Sequence, residues 1–209
     1  MYQVIGSGST GNSVIYHNSI MIDCGVPYSK IEQFVNRLQL VLLTHEHADH
    51  INLSTLRKLS FERPSLRFGC CEWMLKHTEG IKNVDVYEIG KIYDYSTFQI
   101  SPFKLWHDVE NCGYRLFKNG TKIFHATDTF TLEGLTAKGY DVFAIEHSYD
   151  EETIYGMIQK QQERGEFSHL KGTMNSHLSE QAARDFIFKN RSENSKVLRL
   201  HETRTIAII

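Results

Sequence analysis

Proline is scarce, with three residues in 209. No stretch rich in proline, glycine or serine divides the chain, so residues 1–209 read as a single domain without an internal linker. Cysteine is little used as well. Cys24, Cys70, Cys71 and Cys112 form no C-x-x-C pair and no disulfide framework. Buried free thiols in a reducing, cytoplasmic compartment are expected instead. No apolar run approaches transmembrane length. The start, Met1-Tyr2-Gln3-Val4-Ile5-Gly6, lacks the basic region and long apolar segment of a signal peptide. Both absences point to a cytoplasmic protein with no membrane partner. An excess of one charge is missing too. A formal net charge of −2 gives no global basic field to recruit nucleic acid, so a nucleic-acid substrate would need a local basic patch or metal ions.

The composition that remains is globular, 41% hydrophobic and 23% charged, on a chain long enough for a sizeable core. Short apolar runs recur at Val14-Ile15-Tyr16, Ile20-Met21-Ile22, Leu40–Leu43, Phe98–Leu105, Tyr114–Phe117, Ile123-Phe124, Val142–Ile145, Val197–Leu200 and Ile206–Ile209. Most are of strand length and bounded by Gly, Asn or Asp. Asn119-Gly120 between two of them is a hairpin signal. Helical periodicity marks Lys30–Leu38, Leu53–Leu59, Glu151–Glu163 and Ser179–Lys189, with Ser179 placed as an N-cap. Two packed sheets with helices outside fit this order, although periodicity alone does not establish it.

Histidine is abundant, with 11 residues, and its distribution carries the chemistry. His45-Glu46-His47-Ala48-Asp49-His50 follows the apolar run Leu40–Leu43. A strand ending at Thr44 launches His45 and His47, two apart, toward one side. Asp49 and His50 then fall where the next helix begins, turned toward a second point. Imidazole nitrogen and carboxylate oxygen suit zinc and similar cations, and one loop could serve two of them. A polar surface loop is the alternative, but four ligand-type residues at H-x-H-x-D-H spacing favour metal. Further candidates stand after strand-like runs: His107, Asp128, His177 and His201. Singly each reads as a surface or hydrogen-bonded residue; beside the H-x-H-x-D-H loop they read as ligands or acid–base groups. The Gly6–Gly11 stretch lacks the lysine of a phosphate loop and reads as a tight backbone turn. His125 reads as a core residue or one standing behind the ligands, and His147 as structural. His17, His77 and His169 carry no motif and read as surface residues. Met157–Thr173, rich in Gln, Lys, Glu and Arg, reads either as a cover over the site or as an exposed connection.

These segments resemble the metallo-β-lactamase superfamily on its phosphodiesterase branch. The matching segments are Thr44–His50, His107 with Cys112-Gly113-Tyr114-Arg115, Ala126-Thr127-Asp128-Thr129, Glu146, His177-Leu178-Ser179 and His201, in the family's order. Gly6–Ser13 and Met21-Ile22-Asp23-Cys24-Gly25 add to it. The Gly-Ser start with Glu146–Asp150 and His177-Leu178-Ser179 is most similar to YycJ/WalJ-type exonucleases. The resemblance implies a four-layer αββα sandwich, an α+β fold, with two divalent cations, Zn²⁺ or Mn²⁺. It assigns His45, His47 and His107 to one cation and Asp49, His50 and His201 to the other, with Asp128 bridging. His177 and His201 compete for the last ligand position. The family pattern makes His201 the ligand and His177 the general acid, oriented by Glu146, so that Asp49, Glu146 and His177 form the catalytic set. Glu202-Thr203-Arg204 after His201 departs from the Leu-Ser of the pattern.

The implied reaction is cleavage of a nucleic-acid phosphodiester bond by a hydroxide activated between two cations. The same centre could hydrolyse a small cyclic nucleotide or cyclic ribose phosphate. Thioester or lactam hydrolysis is a third reading, opposed by Gly113-Tyr114-Arg115 and His177-Leu178-Ser179, and a non-catalytic scaffold is a fourth. The expected partner is the phosphodiester substrate, whether DNA, RNA or cyclic nucleotide. A homodimer is compatible with the sequence.

Overall fold

Apolar runs of three to five residues become the central strands. The structure is a computed structural model that describes residues 1–165 and 170–202, with Lys171 described by its backbone only. The Ile206–Ile209 run, Thr203-Arg204 and His169 lie outside the described residues, as do residues 166–169 of the Met157–Thr173 segment. The chain divides into two units, Met1–Tyr93 with Ser101–Lys104, and Asp94–Ile100 with Leu105 onward.

The first sheet takes its six strands in chain order: β1 (Tyr2–Gly6), β2 (Ser13–Tyr16), β3 (Ile20–Ile22), β4 (Leu40–Leu42), β5 (Arg67–Cys71) and β6 (Val84–Tyr87). β1 to β3 run antiparallel and β3 to β6 parallel. Every residue of β2, β3 and β4 is buried, as expected of strands covered on both faces. Ile15, Met21, Val41 and Phe68 share one core with Ile31, Phe34, Leu56 and Leu59 from the crossovers. The β4–β5 crossover is helix α2 (Leu53–Glu62), preceded by α1 (Tyr28–Ile31) in the β3–β4 crossover. Asn52 starts α2 by accepting from the Thr55 amide at 3.0 Å.

The helix expected over Lys30–Leu38 is one α turn followed by a 3₁₀ turn, Glu32–Arg37. The Arg63 guanidinium donates to the carbonyls of Val35 and Leu38, so the terminal carbonyls are satisfied without a further α turn.

The second sheet holds β7 (Tyr93–Asp94), β8 (Gln99–Trp106), β9 (Glu110–Lys118), β10 (Thr121–Ala126), β11 (Val142–Glu146) and β12 (Lys196–Leu200), ordered β12-β11-β10-β9-β8-β7. Asn119 and Gly120 join β9 to β10 with φ of 51° and 72°, the two left-handed residues of a type I′ hairpin. β10, β11 and β12 are parallel. Their connections carry α3 (Glu151–Glu163), α4 (Leu170–Ser176) and α5 (Glu180–Asn190). Ser179 caps α5, accepting from the Ala182 amide at 3.0 Å. α5 buries Ala183, Phe186 and Ile187, and Phe186 stacks on Phe124 of β10 at 5.2 Å. Two six-stranded sheets with their helices match the αββα metallo-β-lactamase sandwich, the fold class expected. Among the described residues no helix is long and apolar enough to cross a membrane.

Both sheets place polar residues directly after parallel strands. Asp23 follows β3 and His45 stands three residues after β4; Asp128 follows β10, Glu146 ends β11 and His201 follows β12. The carboxyl ends of parallel strands are where α/β sheets present their sites.

Candidate metal centre

In the first unit, adjacency of β3 and β4 creates a polar network. The Asp23 amide bonds the Leu42 carbonyl at 2.8 Å. Asp23 Oδ1 in turn accepts from the Thr44 amide at 3.0 Å and from Thr44 Oγ1 at 2.9 Å. Asp23 Oδ2 accepts from His50 Nδ1 at 2.7 Å. Thr44 Oγ1, having given its proton to Asp23, accepts from His45 Nδ1 at 3.0 Å. One buried carboxylate thus fixes two imidazoles in the same tautomer, with the ring lone pair at Nε2. Burial pushes the Asp23 pKa up, against the opposing pull of His50 and Thr44.

The loop itself differs from the expected strand-then-helix geometry. β4 ends at Leu42 and α2 begins at Leu53, so Asp49 and His50 lie in a turn closed by His50 N–H on the His47 carbonyl at 2.8 Å. The ring centroids of His45 and His50 are 4.1 Å apart, closer than those of His45 and His47 at 4.9 Å. The turn is stitched to its surroundings by Cys24 N–H on the His50 carbonyl at 3.0 Å and Asn12 N–H on the Asp49 carbonyl at 2.6 Å. Gly25 permits this approach, since a Cβ there would lie 1.8 Å from the Asp49 carbonyl oxygen. Glu46 points elsewhere, to Lys76 and to His77 Nε2, the latter at 3.0 Å. Hydrogen bonds from Lys76 and His77 hold its carboxyl down at about 2. His77, expected as a bystander on the surface, is therefore an anchor of the ligand loop.

In the second unit, Asp128, Glu146, His177 and His201 each offer a ligand atom, all within 4.8 Å of one another. Asp128 has φ of 56°, a left-handed conformation that Asp tolerates better than most residues. Asn111, buried, pins that turn by donating from Nδ2 to the carbonyls of Thr127 at 3.0 Å and Asp128 at 2.6 Å. Thr127 Oγ1 donates to Asp128 Oδ2 at 2.8 Å. Glu146 is fully buried and accepts three hydrogen bonds, from the Thr129 amide at 2.5 Å, Ser148 Oγ at 2.6 Å and His177 Nδ1 at 3.0 Å. His177 reaches it because Ser148 N–H bonds the Leu178 carbonyl at 3.1 Å and Glu180 N–H the Tyr149 carbonyl at 2.8 Å. His177 Nδ1 also lies 3.4 Å from Asp128 Oδ1. His201 Nε2 lies 3.6 Å from the same oxygen, and its ring stacks on His177 at 4.9 Å. His107 donates from Nδ1 to the Ser176 carbonyl at the end of α4, at 2.7 Å, and meets His177 edge-on at 5.2 Å.

The pKa shifts follow burial and charge. Burial would lower His177, but the hydrogen bond and charge of Glu146, with the charge of Asp128, outweigh it and raise the pKa. Burial raises Glu146, and Asp128 adds to the shift while His177 opposes it. Burial lowers His107, favouring the neutral imidazole. His125 and His147 are buried; His147 Nδ1 donates to the Ile145 carbonyl at 3.0 Å, a structural role.

The donor chemistry fits divalent cations. His45, His50 and His107 each commit Nδ1 to an oxygen and carry the lone pair at Nε2, the arrangement typical of metal-binding imidazoles. Carboxylates accompany them, giving the mixed nitrogen and oxygen set of borderline metals. Asp23, Thr44, Asn12, Asn111 and Ser148 were given no role by sequence reasoning. Asp23, Asn12, Thr44 and Ser148 stood inside matched segments, which was the available signal; nothing in the sequence marked Asn111.

Known proteins resemble this chain in sequence and in fold. The exodeoxyribonuclease WalJ of Streptococcus pneumoniae is 28% identical over 195 residues, covering 81% of this chain and 71% of WalJ. Among solved structures, the metallo-β-lactamase fold protein YhfI of Bacillus subtilis has a TM-score of 0.73 at 16% identity, covering 96% of this chain and 85% of its own. The short form of human tRNase Z has a TM-score of 0.67 at 15% identity, covering 96% and 92%. The donor clusters and the fold together support a metal-dependent hydrolase. A profile described as the beta-lactamase superfamily domain matches residues 19–184, and the chain belongs to that superfamily.

Proposed function

We propose that this protein is a metal-dependent phosphodiesterase acting on nucleic acid, with DNA as the first substrate to test. The observation that carries the reading is the Glu146–His177 hydrogen bond beside Asp128 and His201. It supplies an oriented imidazole, whose pKa the buried charge of Glu146 raises, next to candidate carboxylate and imidazole ligands. Such a group suits donation of a proton to the leaving oxygen of a phosphodiester. The similarity to an exodeoxyribonuclease supports the substrate class.

In this reading His45, His47 and His107 would hold one divalent cation, and Asp49, His50, Asp128 and His201 would complete the ligand set. Bound cations would supply Lewis acidity toward phosphate oxygens and a nucleophile at neutral pH. Asp23 orients His45 and His50 through their Nδ1 protons. His177 delivers its Nε2 proton to the departing oxygen while Glu146 stabilises the imidazolium through Nδ1. A cavity of about 480 Å³ on the second unit is lined by His147, Arg184, Asp185, Arg191 and Arg199. Glu180 pairs with Arg184 and Arg199, and Glu202 with Arg199.

The test is a metal-titrated assay on bis-para-nitrophenyl phosphate, cyclic nucleotides, and single- and double-stranded DNA and RNA. Cleavage of DNA with Zn²⁺ or Mn²⁺, abolished by Asp49→Ala and lowered at least a hundredfold by His177→Ala, is expected at roughly that size. Turnover confined to the cyclic nucleotides moves the substrate to a small phosphodiester. No turnover of any member with any divalent cation overturns the reading.

A further inference from the structure

Two buried carboxylates in this chain are wired in the same way. In the first unit Asp23 takes the Nδ1 proton of His50 directly and reaches His45 through the Thr44 hydroxyl. In the second unit Glu146 takes the Nδ1 proton of His177 directly, at 3.0 Å. Glu146 also accepts from Ser148 Oγ at 2.6 Å, and the same Oγ lies 3.4 Å from His201 Nδ1. Ser148 thus stands as Thr44 does, between a carboxylate and a second imidazole. Backbone holds it there. His147 N–H bonds the carbonyl of Leu200, the residue before His201, at 2.8 Å. Ser148 N–H bonds the carbonyl of Leu178, the residue after His177, at 3.1 Å. The Ser148 side chain is buried between these two anchors.

A hydroxyl has one proton to give. Ser148 gives it to Glu146, so toward His201 its oxygen only accepts, and that bond requires the proton on His201 Nδ1. The ring lone pair then sits at Nε2, 3.6 Å from Asp128 Oδ1. His177 is turned the other way. The atom it brings within 3.4 Å of the same oxygen is Nδ1, the nitrogen committed to Glu146. Of the two imidazoles beside Asp128, His201 presents a lone pair and His177 a proton.

We propose that Ser148 is the positioning residue behind this division: it passes the hold of Glu146 on to His201, selects the Nδ1–H tautomer there and so makes His201 the imidazole ligand. The inference deepens the reading of His201 as a ligand and rests on it. At 3.4 Å the bond to His201 is long and biases the ring without locking it. The expected bias is about two- to tenfold, the size of one neutral hydrogen bond.

Two-bond ¹H–¹⁵N NMR of the imidazole rings tests this on the full chain, dialysed against EDTA and held at an alkaline pH where the rings are neutral. Signals are identified by their absence in His201→Gln and His177→Gln. Wild-type His201 is expected to hold Nδ1–H in excess. Ser148→Ala is expected to lower that excess about two- to tenfold, and Ser148→Thr to restore it, with the His177 tautomer the same in all three chains. A general loosening would disturb both rings and would not be rescued by threonine. A wild-type His201 protonated at Nε2, or a His201 tautomer unchanged in Ser148→Ala, overturns the relay. Should Ser148→Ala fail to fold, Ser148→Cys takes its place, since a thiol is a weak donor and a weak acceptor. Zn²⁺ calorimetry separates the relay from the reading beneath it. Ser148→Ala is expected to weaken one Zn²⁺ step about tenfold. A tautomer that responds while every Zn²⁺ step stays unchanged upholds the relay and overturns His201 as the ligand.

Discussion

Asp23 Oδ2 accepts the Nδ1 proton of His50 at 2.7 Å, with both side chains buried. The same carboxylate reaches His45 through the Thr44 hydroxyl. Orienting partners of this kind are worth about 10–100-fold in metal affinity. Asp23→Ala is expected to lose affinity on that scale for two Zn²⁺ equivalents, because both imidazoles lose their fixed tautomer. Calorimetric titration checks it. An affinity within twofold of wild type would remove Asp23 from the account.

The proposed role of His177 as proton donor sets an expected pH dependence of cleavage. Its pKa is raised above the ordinary imidazole value despite the lowering effect of burial, chiefly by the hydrogen bond and charge of Glu146. A proton donor with a raised pKa stays active further into alkali, so the alkaline limb of kcat/KM is expected above about 6.5. Glu146→Gln removes the negative partner and is expected to move that limb downward. In linkage terms the raised pKa contributes stability in full below the unfolded-state value, and that contribution is lost as pH rises through the folded value. pH profiles on bis-para-nitrophenyl phosphate decide the point, and coincident alkaline limbs in the two chains would count against the His177–Glu146 pair.

Two glycines make opposite forecasts. A Cβ on Gly25 would sit 1.8 Å from the Asp49 carbonyl oxygen, backbone that cannot turn away. Gly25→Ala is expected to destabilise by about 3 kcal/mol and to weaken Zn²⁺ binding. Gly156, inside α3, has open space where its Cβ would go. Gly156→Ala is expected to stabilise by about 0.5–1 kcal/mol. Urea denaturation of both chains supplies the comparison.

Ser179 caps α5 through the Ala182 amide and lies two residues beyond His177. Ser179→Ala is expected to lower stability by about 1 kcal/mol, measured as a shift in the urea midpoint at constant slope.

Much of this was readable in the chain. Short apolar runs became strands at Ser13–Tyr16, Ile20–Ile22 and Val142–Glu146 because burial on both faces demands such runs. Glu151–Glu163 appears with the bounds its periodicity gave. His45–His50 was conspicuous because four ligand-type residues stand within six positions. What stayed hidden depends on partners far along the chain. The Asp23–His50 bond spans 27 residues and the Asn12–His50 contact 38, and no local pattern announces either. The 3₁₀ turn at Glu32–Arg37 depends on Arg63 for the same reason.

Asp128 combines a left-handed φ of 56° with burial beside Glu146. Its charge acts in two directions, raising the Glu146 pKa and also the His177 pKa, on a backbone conformation that few residues adopt. Asparagine tolerates that backbone at least as well and brings no charge. On the proposed role of Asp128 as a ligand, Asp128→Asn is expected to change stability little without added cation and to lower the stabilisation that Zn²⁺ gives the wild-type chain, read as urea midpoints with and without Zn²⁺.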